Sequence, residues 1–336
     1  MVHQEKAPAG SGMRVYDNIL EVVGNTPLVK LHKVVTGVRP TILAKLESFN
    51  PGRSNKDRVG MHLVEMAERD GTLKPGGTIV EATSGNTGLG LAMAALVKGY
   101  KCICVMPDKI GQEKRDLLKA HGAKVVITPT SAPPGSPERY TEVAKRLASE
   151  IPGGYLANQY FNPHNPEIHY RTTGPEIWRD TAGRVTCYVA GLGTGGSVSG
   201  VGKYLKEQNS KVRIVGAEPQ GSILGEYQRT GSMAEAQSYL VEGIGQEIIP
   251  GNVQFEFIDE IVSVTDRESF EYMRRLSREE AIFVGGSSGT ALAAAVKVAE
   301  KMTEEDIIVV MLPDTGERYL STALFEGIPD GSDPES

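Results

Sequence analysis

One lysine and three glycine-rich turns contain the residue types that could do chemistry in this chain of 336 residues. Lys56 follows the turn Asn50-Pro-Gly-Arg-Ser-Asn, and the apolar periodicity after it predicts a helix over 57–70 with Gly71 as its C-cap. The positive end of a helix dipole disfavours a second cation, so we expect a lowered pKa and a larger nucleophilic fraction of the Lys56 amine. A solvated lysine in a first helical turn is the alternative, and this stretch alone leaves both interpretations open.

The first glycine-rich turn, Thr83-Ser-Gly-Asn-Thr87, lies between a predicted strand and a predicted helix. The side chains of Thr83, Ser84, Asn86 and Thr87 offer hydroxyl and amide donors at a helix N-terminus, an arrangement that suits a carboxylate. Gly85 lets a ligand approach the backbone. A helix N-cap needs only one such side chain. We therefore interpret this turn as a ligand site rather than as a cap alone.

The second turn, Gly191-Leu-Gly-Thr-Gly-Gly-Ser197, follows an apolar strand and opens a helix. Its backbone N–H groups and the hydroxyls of Thr194 and Ser197 would hold a phosphate. The same segment fits G-x-G-x-x-G, and Glu218 ends the next predicted strand, so a dinucleotide-dependent oxidoreductase is a rival interpretation. The rival gives no role to Lys56, and the motif lies deep in the chain.

The third turn, Val284-Gly-Gly-Ser-Ser-Gly-Thr290, leads into an alanine-rich helix. Ser287 could present its hydroxyl to a ring nitrogen of a flat ligand. Close helix packing explains the small residues equally well, so this turn alone does not decide between a site and a packing contact.

Strand-like and helical apolar periodicities alternate along most of the chain, which predicts an α/β fold with largely parallel sheets and right-handed crossovers. The predicted strands cover 41–47, 78–81, 102–106, 124–127, 186–190, 213–217, 261–264 and 307–312, and the predicted helices cover 57–70, 87–97, 112–120, 137–150, 166–180, 197–206, 266–279 and 288–302. Gly153-Gly154 and the Asn/Pro-rich segment 158–166 form a candidate hinge between two halves. The cleft between two such halves is a usual place for a ligand.

Composition and charge exclude several classes of protein. The net charge is −6 with acids and bases mixed, and no basic and aromatic patch indicates a nucleic-acid partner. No apolar stretch reaches the roughly 20 residues that a membrane span needs. The three cysteines and the absence of a signal-peptide pattern predict a cytoplasmic protein. Cys102 and Cys104 lie in a predicted buried strand without a second ligand pair, so no metal is expected.

Six motifs, taken together and in order, resemble the fold-type II pyridoxal-phosphate (PLP) enzymes of the cystathionine β-synthase and cysteine synthase family, over residues 15–325. The motifs are Gly24-Asn-Thr-Pro-Leu28, Ser54-Asn-Lys-Asp-Arg58, Thr83-Ser-Gly-Asn-Thr-Gly88, Gly193-Thr-Gly-Gly196, Glu242-Gly-Ile-Gly245 and Gly285-Gly-Ser-Ser-Gly289. Gly221-Ser-Ile-Leu224 and Leu312-Pro-Asp314 are similar to the cystathionine β-synthases, whereas Gly316-Glu-Arg-Tyr-Leu-Ser-Thr322 is similar to the cysteine synthases. The balance favours the first branch.

The resemblance implies a tryptophan synthase β-like fold and a role for each matching residue. Lys56 is expected to form the Schiff base with PLP and to remove the α-proton of the substrate. Contacts to PLP are expected from Asn86, Gly193, Thr194, Gly195, Gly196, Ser197 and Ser287, and contacts to the substrate from Thr83, Ser84, Gly85, Thr87, Gln159 and Gly243. The implied domains are 13–160, of which roughly the first 35 residues cross to the other domain, and 161–325, with tails at 1–12 and 329–336. A homodimer is also implied.

The expected activity is that of a PLP-dependent lyase or transferase, a β-replacement on L-serine or an O-activated serine by a thiol. A neutral serine at the ring nitrogen makes the ring a weaker electron sink, which favours β-elimination. Homocysteine, giving cystathionine, is the first choice of thiol. Cysteine synthesis from sulfide and O-acetylserine or O-phosphoserine is the alternative, as is a specialised-pathway synthase of another β-substituted alanine. A non-catalytic binding protein and the NAD(P)-dependent oxidoreductase are the rivals from other classes.

Several departures from the family pattern carry expectations of their own. His3 has no neighbouring cysteine, so no haem is expected, and the chain stops at residue 336, so adenosylmethionine control through a C-terminal regulatory pair is not expected. Arg53 and Asn55 stand where the family usually has small or aliphatic residues. The guanidinium of Arg53 could bind an anionic group of a substrate or could point to solvent, and both interpretations stay open.

Overall fold

The chain folds into two sheets with helices packed on them. The computed structural model describes residues 15–83, 85–133, 135–320 and 322. The strands are β1 (Leu28–Lys30), β2 (Thr41–Leu46), β3 (Thr78–Ala82), β4 (Lys101–Pro107), β5 (Lys124–Thr128), β6 (Gly154–Leu156), β7 (Cys187–Gly191), β8 (Arg213–Pro219), β9 (Glu260–Val264) and β10 (Ile307–Leu312). The helices are α1 (Lys56–Arg69), α2 (Asn86–Lys98), α3 (Gln112–Ala120), α4 (Tyr140–Glu150), α5 (His164–Ile168), α6 (Gly174–Asp180), α7 (Gly196–Gln208), α8 (Leu224–Thr230), α9 (Asp266–Glu280) and α10 (Gly286–Ala299). Ser84, Pro134, both predicted tails and His3 lie outside the described residues.

The larger sheet has six strands in the order β1-β2-β10-β7-β8-β9, and the smaller sheet has four in the order β5-β4-β3-β6. β1 runs antiparallel to β2, with Leu28 opposite Lys45, and the other paired strands of both sheets run parallel. The prediction of an α/β fold with mostly parallel sheets is therefore confirmed.

The N-terminal strands β1 and β2 lie in the larger sheet, whereas the next four strands, β3 to β6, form the smaller sheet. β2 pairs in parallel with β10, with Thr41 opposite Ile307, so the chain reaches the smaller sheet only after residue 46. The domain limits at residues 160 and 161 stay a prediction.

The approach of α1 to α2 fixes the position of Lys56 and depends on two glycines. A Cβ atom at Gly60 would collide with the backbone of Gly90, and a Cβ atom at Gly90 would lie 2.5 Å from the carbonyl oxygen of Lys56. Only glycine allows this backbone contact. Apolar side chains of both helices, such as Val59, Leu63 and Leu91, then pack in one buried cluster.

The structure differs from the predicted elements mainly between residues 164 and 180. The single helix predicted over 166–180 is three pieces: α5, a π-helical turn His169–Thr173, and α6. Pro175 lacks an N–H group and cannot continue an α-helical ladder, and Thr172 donates its hydroxyl hydrogen to the carbonyl of Ile168 at 2.7 Å. The short strands β1 and β6 and the helix α8 were not predicted. Among the described residues, no helix has both the length and the apolar character for crossing a membrane.

Candidate active site

Lys56 is the first residue of α1 and points into a pocket between the two sheets. Its N–H group donates to the hydroxyl of Ser54 at 3.2 Å, and its Nζ donates to Oδ1 of Asn55 at 3.2 Å. Burial lowers the pKa of the Lys56 amine, while the charges of Asp314 and Glu47 oppose that shift. The predicted direction of the pKa shift is confirmed, and burial is its largest cause.

A buried network of ion pairs anchors the start of α1, and the sequence interpretation missed it. Arg58 donates to Glu47 at 2.8 Å and to Glu176 at 2.6 Å, and Lys45 donates to Glu176 at 2.8 Å. Glu47 follows β2 and Glu176 lies on α6, so the network ties α1 to elements on either side of it. Two features of the sequence could have indicated this network: Lys45 lies in a predicted apolar strand, and Arg58 follows Lys56 by two residues.

The second glycine-rich turn forms the opposite wall of the pocket. Gly193, Thr194, Gly195 and Ser197 line it, and Gly196 begins α7. A Cβ atom at Gly193 would lie 2.6 Å from the carbonyl oxygen of Gly243, and Gly195 has a φ of +87°. The turn therefore needs glycine for both its conformation and its close packing, and it exposes backbone N–H groups at a helix N-terminus, which is an anion site.

Three further predicted residues complete the lining of this pocket. Ser287, the second residue of α10, and Gly243 face it. Asn86 begins α2 and is held on both sides: its Nδ2 donates to Asp314 at 2.7 Å, and Arg318 donates to its Oδ1. The pocket thus brings together Lys56, Asn86, Gly193, Thr194, Gly195, Ser197, Gly243 and Ser287. Their individual roles stay a prediction.

The predicted carboxylate site lies next to this pocket, in the loop before α2. The Thr83 hydroxyl accepts the N–H of Gly85 at 3.0 Å, and the Thr87 hydroxyl donates to Oε1 of Gln159 at 2.5 Å. These side chains therefore contact their own loop and each other, and Gly85 has a φ of +135°. The role of this group as a substrate site stays a prediction, and Ser84 lies outside the described residues.

The sequence interpretation assigned no role to Asp314, which is buried opposite Lys56. It accepts hydrogen bonds from Asn86 and from the Tyr319 hydroxyl, the latter at 2.6 Å. Within the part of the chain that the structure describes, its Oδ1 has no hydrogen-bond partner. Burial raises the pKa of Tyr319 well above its ordinary value, so the phenol remains a donor. The only sequence signal was the motif Leu312-Pro-Asp314, used for the resemblance alone.

Arg53 and Asn55 differ in their relation to the pocket. Asn55 lines it and contacts Lys56. Arg53 does not line it: the residue has a φ of +61°, and its side chain, 53% exposed, lies 3.3 Å from Glu317. The solvent-facing interpretation of Arg53 is the one that this geometry favours.

The geometry of Glu218 weighs against the dinucleotide interpretation. Its carboxylate accepts the N–H groups of Leu224 at 3.1 Å and Gly225 at 3.0 Å, and so binds the start of α8. Each oxygen of this buried carboxylate therefore already accepts a backbone hydrogen bond. A buried amine and an anion-binding turn that line one pocket fit PLP instead.

Comparison with known proteins agrees with that fit. The model of the pyridoxal-phosphate dependent enzyme family matches residues 19–314. Cystathionine beta-synthase of Apis mellifera is 44% identical over 326 residues, which cover 96% of this chain and 64% of that protein. Cysteine synthase of Staphylococcus aureus (strain N315) is 44% identical over 312 residues, 92% of this chain and 97% of that protein.

One solved structure extends the similarity to three dimensions. The O-acetylserine dependent cystathionine beta-synthase from Helicobacter pylori is 37% identical, has a TM-score of 0.86 and covers 93% of this chain and 100% of its own. The chain spans about six tenths of the length of the animal cystathionine beta-synthases that it matches, 64% for Apis mellifera and 58% for Rattus norvegicus.

Proposed function

The chain belongs to the pyridoxal-phosphate dependent enzyme family, and from that premise we propose that it replaces the β-substituent of serine, or of an O-activated serine, by a thiol. PLP is its cofactor. Homocysteine, giving cystathionine, is the proposed thiol. The observation that carries the proposal is that the Lys56 amine, the turn 193–197 and the hydroxyl group of Ser287 line one pocket.

The residues of the pocket then have separate tasks. Bound PLP supplies an electron sink for the substrate α-carbon. The turn 193–197 and the N-terminus of α7 hold a phosphate, and Asn86 and Ser287 orient the ring. Lys56, whose pKa is lowered by burial, takes the α-proton as a neutral amine and returns it as the ammonium. Asp314 acts through Asn86 as a positioning residue, because its Oδ2 accepts one of the two amide hydrogens.

The substrate carboxylate is proposed to bind at the loop that contains Thr83, Ser84, Gly85, Thr87 and Gln159. The N-terminus of α2 and its hydroxyl groups are suitable donors for an anion. Binding there exchanges the hydrogen bond between Thr87 and Gln159 for bonds to the ligand. Gly243 would face the amino-acid substrate from the other side.

A cysteine synthase is the second candidate, since the Staphylococcus aureus cysteine synthase matches over 97% of its own length. Its substrates would be sulfide and an O-activated serine. We also propose two domains, at 13–160 and 161–325, in a homodimer. A cytoplasmic location is supported by the three cysteines, which are all buried and unpaired.

A product assay tests the proposal directly. PLP-loaded enzyme is offered serine, O-acetylserine or O-phosphoserine, each with homocysteine or sulfide, and products are identified by mass spectrometry. Cystathionine as the main product supports the first candidate, and cysteine supports the second. Borohydride should fix PLP on Lys56 in the native chain and in the control Lys119→Ala, an exposed lysine of α3, but not in Lys56→Ala. Absence of the adduct from the native chain would overturn both candidates.

A further inference from the structure

Two histidines and a glutamate meet where α1 packs on α5, away from the pocket that Lys56 lines. His62 lies on α1 and is buried, and His164 and Glu167 lie one turn apart on α5. One ligand atom from each of the three residues lies within 4.8 Å of the other two. No part of the proposed reaction uses these side chains.

Both imidazoles are directed at the same carboxylate oxygen. Oε2 of Glu167 is 3.2 Å from Nε2 of His62 and 2.5 Å from Nδ1 of His164. The two rings are edge-on to each other, with centroids 5.8 Å apart and an interplanar angle of 89°. This arrangement makes ring nitrogens converge on one point, whereas stacked rings would keep them apart.

We propose that His62, His164 and Glu167 bind a divalent metal ion of the zinc class. Two imidazole nitrogens and one carboxylate oxygen are a donor set that Zn²⁺ prefers, with a fourth position left for water or another carboxylate. Tetrahedral ligands at about 2.0–2.2 Å from zinc lie roughly 3.3–3.6 Å from one another. The 3.2 Å between His62 Nε2 and Glu167 Oε2 is close to this separation. A small rotation of the half-buried Glu167 carboxylate would lengthen the 2.5 Å between its Oε2 and Nδ1 of His164.

Asp70 lies on the outer side of the cluster, near His164 but beyond the distance of a direct hydrogen bond. Its Oδ2 lies 3.7 Å from Nε2 of His164, the nitrogen that does not face Glu167. A histidine that binds a metal through one nitrogen usually donates its other N–H group to a carboxylate or a carbonyl. Arg171 pairs with the remaining oxygen of Glu167 and so holds that carboxylate in place.

The site would join the two elements that frame the PLP pocket. α1 starts at Lys56, six residues before His62, and Asn165, the neighbour of His164, donates to the Thr194 hydroxyl at 2.9 Å. A metal ion at this junction would hold the lysine-bearing helix against the segment that supports the turn 193–197. Its role is therefore structural, and its effect falls on stability and not on the chemical step.

The test measures zinc binding by the PLP-loaded enzyme after metal removal with a chelator. Calorimetric titration with ZnCl₂ near neutral pH should give one ion per chain, and zinc should raise the Tm. His164→Ala and Glu167→Gln should each weaken binding at least tenfold and remove the rise in Tm. The matched control is His121→Ala at the C-cap of α3, a half-buried histidine outside the cluster, which should bind zinc as the native chain does.

Retention of the PLP absorbance shows that each variant is folded. Because PLP binding is measured separately from zinc binding, a negative zinc titration leaves the proposed function unaffected. Zinc binding that is equally strong in His164→Ala would overturn the proposal, because the ion would then occupy another site, such as the buried thiols of Cys102 and Cys104. No binding and no change in Tm of the native chain at about millimolar zinc would also overturn it.

Discussion

Replacing Glu176 by glutamine should destabilise the chain much more than the loss of an ordinary ion pair. The Glu176 carboxylate accepts hydrogen bonds from Arg58 at 2.6 and 2.8 Å and from Lys45 at 2.8 Å. The Arg58 and Lys45 side chains are only 1% and 0% exposed. In the glutamine variant, only Glu47 and the more distant Asp180, 3.9 Å from Lys45, would remain as negative charges for these two buried cations. Removing one partner of a buried ion pair costs about 3–5 kcal/mol.

The pKa of Glu176 gives a second route to the same magnitude. Burial opposes ionisation, but the positive charges of Arg58 and Lys45 outweigh it and lower the pKa from 4.5 to about 2. At about 1.4 kcal/mol per pKa unit, this shift corresponds to roughly 3.5 kcal/mol. Because the pKa in the folded chain is the lower one, the contribution is complete above pH 4.5 and is lost as the pH falls towards about 2.

Urea unfolding of the PLP-loaded enzyme measures the effect, first near neutral pH and then in steps down to acid. The control is Glu142→Gln, which removes an exposed pair with Lys145 and should cost no more than about 0.5 kcal/mol. The difference between native chain and Glu176→Gln should shrink as the pH drops below 4.5. A loss no larger than that of the control, or a difference that stays constant with pH, would refute the reasoning.

Two further predictions concern the walls of the pocket. Gly193→Ala should weaken PLP binding by about 1–3 kcal/mol, or about fivefold to 150-fold in Kd, because its Cβ atom would lie 2.6 Å from the Gly243 oxygen. Dialysis followed by absorbance measures it, and PLP retention equal to the native chain's would contradict it. Arg53→Gly should leave the preference among serine, O-acetylserine and O-phosphoserine unchanged, because the Arg53 side chain pairs with Glu317 outside the pocket. Competition between these substrates is the assay, and a selective loss of O-phosphoserine would revive the anion-binding interpretation.

Much of the fold could be predicted because its signals are local. The strand Ile307–Leu312 and the helix Gln112–Ala120 have the predicted bounds, since a continuous apolar run and a 3.6-residue period each identify one kind of element. β1 and β6 have three residues each, too few for any period. The break at His169–Thr173 has local causes, Pro175 and the Thr172 hydroxyl, but the helical period that runs through 166–180 does not show it.

The glycine-rich part of the candidate site was predictable for a different reason. Glycine readily adopts the φ of +87° found at Gly195, so the glycine content of the segment predicts a tight turn there. Asp314 has no comparable signal, because 228 residues separate it from Asn86, which it orients. At Glu218 the sequence suggested a role that the structure does not support. Its spacing from the G-x-G-x-x-G segment suggested a ribose contact, but its carboxylate accepts the N–H groups of Leu224 and Gly225.

The properties of Lys56 are set by tertiary contacts more than by its own helix. The N–H of Asn55 donates to the carbonyl of Pro313 at 2.9 Å, and Ser54 forms a β-bridge with Asp314, so the end of β10 holds the turn before the lysine. Burial by this packing is what lowers the pKa of the amine. A peptide of residues 41–70 would lack that burial, and its lysine should therefore titrate close to its ordinary value.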